Sequence, residues 1–282
     1  MKMPKPIDLT GKVAIVTGAG GVLCSDMARA LAMCGAAVAL ADINYQAVQA
    51  IADELNAQGC RAFAVQTNVL DREALEQAYV EIKQALGPCD ILVNGAGGNN
   101  PKATTDGEFF HPEALETGEK TFFDLDKTGV EFVFGLNFLG TLLPTQAFAK
   151  DMALKGQGWI VNISSMNAFT PLTKIPAYSA AKAAISNFTQ WLAVHFSKVG
   201  VRVNAMAPGF FQTAQNQKLL FNPDGSLSER SGKILRNTPM ERFGTPDELL
   251  GTLLYLLNDD YSSFVTGVVI PIDGGFSAYS GV

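Results

Sequence analysis

Tyr178 and Lys182 stand four residues apart in "AYSAAK", a spacing that on a helix puts a phenol and an ammonium on one face. A free phenol titrates near pH ~10, and a neighbouring cation stabilises its phenolate. The pair therefore has the makings of a general acid/base, although an aromatic anchor beside a solvated lysine reads the same way. Ser164 and Ser165 lie upstream in "IVNISSMN", with Ser165 thirteen residues before Tyr178. A hydroxyl leaving a strand end there can hydrogen-bond a substrate oxygen, and spacing alone does not choose between the two serines. No GxSxG elbow surrounds them, which argues against a nucleophilic serine.

A second constellation lies near the N-terminus. The apolar run "KVAIVT" leads into "TGAGGVLC" (17–24), a strand running through a glycine turn into a helix. That geometry offers backbone N–H groups to a pyrophosphate. The glycines fall at Gly18, Gly20 and Gly21, while Val22 and Cys24 occupy the places of further fingerprint glycines. Asp42 closes the next strand-like run, "LADIN", 24 residues after Gly18. A carboxylate at that strand end accepts ribose hydroxyls and repels a 2′-phosphate, which favours NAD over NADP. Taken alone, Asp42 could equally cap a helix.

The elements that must position these groups alternate along the chain. Strand-like runs are expected at 12–17, 36–42, 61–68, 89–95, 158–164, 201–208 and 267–273. Helical patterns lie between them, including 176–199 and 245–257, and the early ones end at glycines suited to C-caps. Near-continuous apolar strands separated by helices predict an α/β fold, a three-layer, doubly wound, Rossmann-like parallel sheet of about seven strands. Two segments interrupt the alternation, a polar, Phe-containing insertion at 99–128 and a turn-rich region at 210–243. Loops of that length in a compact domain are usually functional lids or carry short helices. With no linker, repeat or low-complexity segment, 1–282 reads as a single domain with a substrate lid.

Composition narrows the partners. Net charge is −6 and no stretch is rich in Lys and Arg, so neither nucleic acid nor an anionic membrane is expected as a partner. Four cysteines without CxxC spacing read as free thiols, and two histidines without HExxH give no support for a metal site. Lys2, Lys5 and Lys12 before an apolar run to Cys24 imitate a signal peptide, but Gly18, Gly20 and Gly21 break the run. A cytoplasmic protein is the expectation.

In order along the chain stand the glycine turn, "NGAG" (94–97), "NFLG" (137–140), a serine, YxxxK and "PGFFQT" (208–213). The ordered set, from Leu9 to the C-terminus, resembles the short-chain dehydrogenase/reductase family. The resemblance implies that Tyr178 exchanges the proton with the reacting oxygen and that Lys182 lowers its pKa and holds the nicotinamide ribose. It selects Ser165 as the family's serine and gives Asn137 a place in a water-mediated proton path. It implies a dinucleotide site made of Gly18, Gly20, Gly21, Val22 and Leu23 at the turn, with Asp42, Asn68, Val69, Asn94, Ala96 and Gly97 on the adenosine side. Pro208, Gly209, Phe211 and Thr213 would seat the nicotinamide. Three departures stand out, Val22 and Cys24 for the second and third fingerprint glycines and Gly95 for the second Asn of the usual "NNAG". Members of the family usually assemble as dimers or tetramers, so a homo-oligomer is expected.

Longer stretches, among them "GGNNPKATTD" and "PLTKIPAYSAAKAAISNFTQWLAVHF", resemble a subgroup that interconverts D-fructuronate and D-mannonate with NADH. A sugar acid needs many polar partners and a cation for its carboxylate. Asn99, Asn100, Lys102, Ser165, Asn167, Lys174, Gln212 and Gln215 are the candidates, with Lys102 or Lys174 on the carboxylate. Phe109, Phe110, Phe122 and Phe123 are expected to pack the insertion rather than touch substrate. Other readings are a reductase of another sugar acid, a polyol or an acyl-thioester ketone, and a nucleotide sensor without catalysis.

Overall fold

Val13–Thr17 (β1) is buried at all five positions, as a strand covered on both faces must be. The computed structural model describes residue 3, residues 5–213 and residues 217–281, with backbone alone at 218 and 219. Around β1 it assembles β2 (Ala37–Asp42), β3 (Arg61–Gln66), β4 (Ile91–Asn94), β5 (Gly158–Ile163), β6 (Val201–Pro208) and β7 (Val269–Ile272). All six pairings are parallel, in the order β3-β2-β1-β4-β5-β6-β7. The strand order reverses between β1 and β4, and a crevice outside the strand C-termini forms at such a switch point.

Alternate residues of each strand serve opposite layers. Ala14 and Val16 face a core containing Met27 and Leu31 of α1 (Val22–Met33), Ile51 and Leu55 of α2 (Tyr45–Ala57), and Leu253 and Leu257. Val13 and Ile15 face a second core with Leu75 and Ile82 of α3 (Arg72–Ala85), Phe148 and Leu192. The apolar residues at 13–24 that imitate a leader are thus a central strand and the start of α1. Among the described residues, no helix is long and apolar enough to cross a membrane.

Two segments depart from the sequence expectation in informative ways. The helix Lys127–Phe134 continues through a π-turn, Gly135–Leu139, into the helix Gly140–Phe148, and nothing in its apolar periodicity signals the widened turn. The four phenylalanines of the insertion do not pack its interior. Phe109, Phe110, Phe122 and Phe123 are 74%, 51%, 68% and 69% exposed, with Phe123 edge-on to both Phe110 and Phe122. The insertion is too short to enclose four aromatic rings, and its buried contact is made instead by Ala103, against Val133, Ala177 and Ala181. The 210–243 region carries short helices, as expected, and a small core of Leu220, Ile234 and Phe243.

Candidate active site

The end of β5 and the long helix Pro176–Phe196 bring the sequence-predicted groups together. Pro176 at the first turn starts this helix without sacrificing a hydrogen bond, and Tyr178 and Lys182 follow one turn apart. Lys182 is 3% exposed. Its Nζ donates to the Ile163 carbonyl at 2.8 Å and lies 5.6 Å from the Tyr178 ring centre. Burial pushes the lysine down to about 8. Burial also pushes the Tyr178 phenol above its ordinary value, opposed by a hydrogen bond with Ser165. At the phenol of the free protein, desolvation is the larger effect and the serine opposes it.

The choice between the serines follows from their partners. Ser164 Oγ donates to the Lys182 carbonyl at 3.1 Å and meets Ser186 Oγ at 2.8 Å, so it fastens β5 to the helix. Ser165 Oγ accepts the Asn167 N–H at 3.2 Å and opposes the effect of burial on the Tyr178 phenol. Asn137 sits in the π-turn, fully buried. Its Nδ2 donates to the Gly98 and Val133 carbonyls at 2.7 and 2.8 Å, and its Oδ1 accepts the Gly98 N–H at 3.3 Å. A Cβ at Gly97 would lie 2.7 Å from Asn137 Oδ1 and 3.2 Å from Lys182 Nζ, which places both side chains against the backbone of 97–98.

Beside this centre opens a cleft of about 630 Å³ along the strand C-termini. At the glycine turn it is walled by Gly18, Gly21, Val22 and Leu23, and on the β2 and β3 side by Asp42, Asn68 and Val69. Ala96 and Gly97, then Gly209, Phe211 and Thr213, complete the predicted wall. Gly20 lies behind it and donates its N–H to Asp42 Oδ2 at 2.9 Å, while Asn44 N–H donates to Oδ1 at 2.8 Å. Gly18 needs its glycine: φ is +66° and a Cβ would fall 2.8 Å from the Ala96 nitrogen.

Two of the expected cofactor residues are set back from the cleft wall. Asn94 is 1% exposed and its Nδ2 donates to Thr145 Oγ1 and Asn162 Oδ1 at 3.0 and 2.9 Å. Pro208 is the buried last residue of β6. Conversely, Cys24, Thr67, Gly95, Leu136 and Ile163 wall the cleft without having been expected there. Thr67 adjoins the expected residues Asn68 and Val69, and Leu136 adjoins Asn137 in the π-turn.

The substrate-side candidates are spread over loops. Asn99 Nδ2 donates to Thr104 Oγ1 and Asn100 Oδ1 accepts the Lys102 N–H. Lys102 and Lys174 are exposed, and Lys174 is held at φ +71°, a conformation that costs a non-glycine residue about 1 kcal/mol. Its carbonyl accepts the Thr105 N–H at 2.9 Å, tying the loop before Tyr178 to the insertion. Asn167 is 4% exposed and its Oδ1 is buried without a hydrogen-bond partner among the described residues. Gln212 is exposed with its N–H on the Gly244 carbonyl, and Gln215 lies outside the described residues. Glu108 and Lys233 join the insertion to the lid region at 3.0 Å.

A half-buried tyrosine beside a buried lysine, and a strand-end cleft over a doubly wound sheet, define an oxidoreductase architecture. The chain belongs to the short chain dehydrogenase family, whose model matches residues 12–223. At the level of individual proteins it is 62% identical over 275 residues to an uncharacterized oxidoreductase of Haemophilus influenzae, covering 98% of this chain and 96% of that one. It is 52% identical over 281 residues, 99% and 100% of the two chains, to the uncharacterized oxidoreductase UxuB of Bacillus subtilis. A Haemophilus crystal structure with bound NAD, provisionally named a D-mannonate oxidoreductase, superposes with a TM-score of 0.93 at 61% identity, covering 98% of each chain.

Proposed function

We propose that the protein is an NAD-dependent reductase of a sugar acid, interconverting D-fructuronate and D-mannonate. The reading is carried by buried Lys182, whose Nζ lies 5.6 Å from the Tyr178 ring centre and is bonded to the carbonyl of Ile163, a wall residue of the cleft. NAD suits the residues present. Gly18, Gly97 and Gly95 leave backbone bare where a Cβ would collide, and Asp42 presents a carboxylate at the ribose end of the cleft. Each Asp42 oxygen accepts one backbone N–H and keeps a lone pair for a ribose hydroxyl. The structural relative with NAD and the provisional mannonate name supports both halves of the proposal.

When bound, NADH supplies the hydride that adds to the ketone carbon. This chain's residues handle the oxygen. Ser165 Oγ–H hydrogen-bonds the carbonyl oxygen and polarises it. Tyr178 Oη–H delivers its proton to the same oxygen as the C–O bond becomes an alcohol. Burial keeps that phenol protonated, which suits the reducing direction. Lys182 stabilises the phenolate left behind, and Asn137 holds the 97–98 backbone against Lys182. Lys174 supplies the cation for the sugar-acid carboxylate: its carbonyl is pinned by Thr105, whereas Lys102 stands within the field of Asp126. Exposed Phe132, Leu139, Trp191 and Val194 on the two adjoining helices support assembly as a homo-oligomer.

The test is loss of NADH absorbance with purified protein and D-fructuronate, beside NADPH and beside 5-keto-D-gluconate. Turnover with fructuronate and NADH alone is expected. Turnover only with another ketone overturns the substrate, and NADH binding without turnover on any ketone moves the protein to the sensor class.

A further inference from the structure

Two departures from the family pattern, a cysteine at 24 and a glycine at 95, meet in space. A Cβ built on Gly95 would fall 2.1 Å from Cys24 Sγ and 2.9 Å from the Thr17 carbonyl oxygen. The first distance is far inside contact, so the thiol fills the volume into which any side chain at 95 would project. Cys24 is 6% exposed and both residues wall the cleft. The turn after β4 is drawn onto the turn after β1 by the Gly95 and Ala96 N–H groups, which donate to Thr17 Oγ1 at 3.1 and 3.4 Å. Cys24 lies in the first turn of α1, the helix whose N-terminal backbone faces the pyrophosphate in the proposed NAD complex.

We infer that Cys24 and Gly95 work as one unit: the thiol supplies the wall between the two turns that a residue-95 side chain would otherwise supply. It thereby fixes where the start of α1 stands relative to Ala96 and Gly97. Cys24 is then a positioning residue for the dinucleotide, acting through the separation of two backbone segments and not through thiol chemistry. The inference rests on the reading of the cleft as an NAD site.

A double-mutant cycle tests it, with Cys24→Gly, Gly95→Ala and the double variant compared by NADH affinity, melting temperature and kcat at saturating NADH. Cys24→Gly is expected to weaken NADH about fivefold with kcat within about twofold, and Gly95→Ala to weaken it at least about tenfold. In the double variant about fivefold or more of the Gly95→Ala loss returns, because the colliding sulfur is gone. The return is partial, since the Thr17 carbonyl stays close. Gly95→Ala binding NADH like the wild type, or effects that simply multiply, would overturn the pairing. Should Gly95→Ala fail to fold, a folded double variant supports the pairing and an unfolded one counts against it. A wild type that binds no NADH refutes the cofactor reading, and the melting temperatures of the same four proteins still decide whether 24 and 95 are coupled.

Discussion

On the nucleotide side, Asp42, Asn137 and Lys182 are held by backbone groups at the ends of strands and in the π-turn, at 2.7–3.3 Å. On the substrate side, Asn99, Lys102 and Lys174 are exposed and Asn100 is half-buried, all on loops outside the sheet. The two loop regions meet each other through an exposed ion pair, Glu108 to Lys233, of a kind worth at most about 1 kcal/mol. The difference teaches where precision is kept. In the proposed function, groups that would meet the cofactor are set by the sheet, which cannot move without losing its core, whereas groups proposed to choose the substrate are mounted on parts that can shift with little cost.

That contrast can be broken at several points. The largest effect is expected for Tyr178→Phe, which removes the proton donor and should lower kcat by about 10³-fold. NADH affinity, measured by fluorescence, should stay within a few-fold, and an active Phe variant would separate the buried pair from the chemistry. Asp42→Ala comes next, with NADH weakened about 10- to 100-fold, since it removes a charged acceptor, and with NADPH gaining relative to NADH. Unaltered preference between the two cofactors would take the ribose role from Asp42. Lys174→Met should raise the KM for D-fructuronate about tenfold with kcat little changed, and Lys102→Met less. If both leave KM alone, neither lysine meets the carboxylate.

The smallest effect concerns stability. The folded chain releases the Lys182 proton at about pH 8, well below the ordinary lysine value of 10.5. Between those values the unfolded chain binds a proton that the folded chain does not, so this group's contribution to stability rises with pH there. Below the lower value the buried charge costs stability in full. Lys182→Met should therefore flatten the rise of melting temperature between pH 8 and 10, and an unchanged slope would mean that the amine stays charged in the fold.

Much of the nucleotide side was legible because it depends on local pattern. The strand at 201–208 lies where its apolar run placed it, and the run at 61–68 stops at Gln66 because Thr67, Asn68 and Val69 turn out to wall the cleft. Ser165 was chosen through family resemblance, and the physical reason appears only in three dimensions, where Ser164 is taken up by Lys182 and Ser186. Asn94 looked like a cofactor residue because its motif borders the site. Its role in joining β4 to β5 and to the helix 140–148 depends on contacts far along the chain. The exposed phenylalanines were misjudged for a related reason, since composition reports that a segment is apolar but not whether enough chain surrounds it.

The π-turn at Gly135–Leu139 has a consequence for chain length. Each residue of a helix advances it by about 100°, and the wide turn absorbs an extra one. Downstream, Thr141 Oγ1 bonds the Asn137 carbonyl, and Thr145 Oγ1 bonds the Thr141 carbonyl and receives Asn94. Deleting Phe138 would let the helix wind regularly and leave Thr141 and Thr145 turned toward β4, but it would remove the widened turn that carries Leu136 and Asn137. The helix 127–148 thus holds one residue more than its winding requires, and the surplus serves the turn in which Asn137 sits.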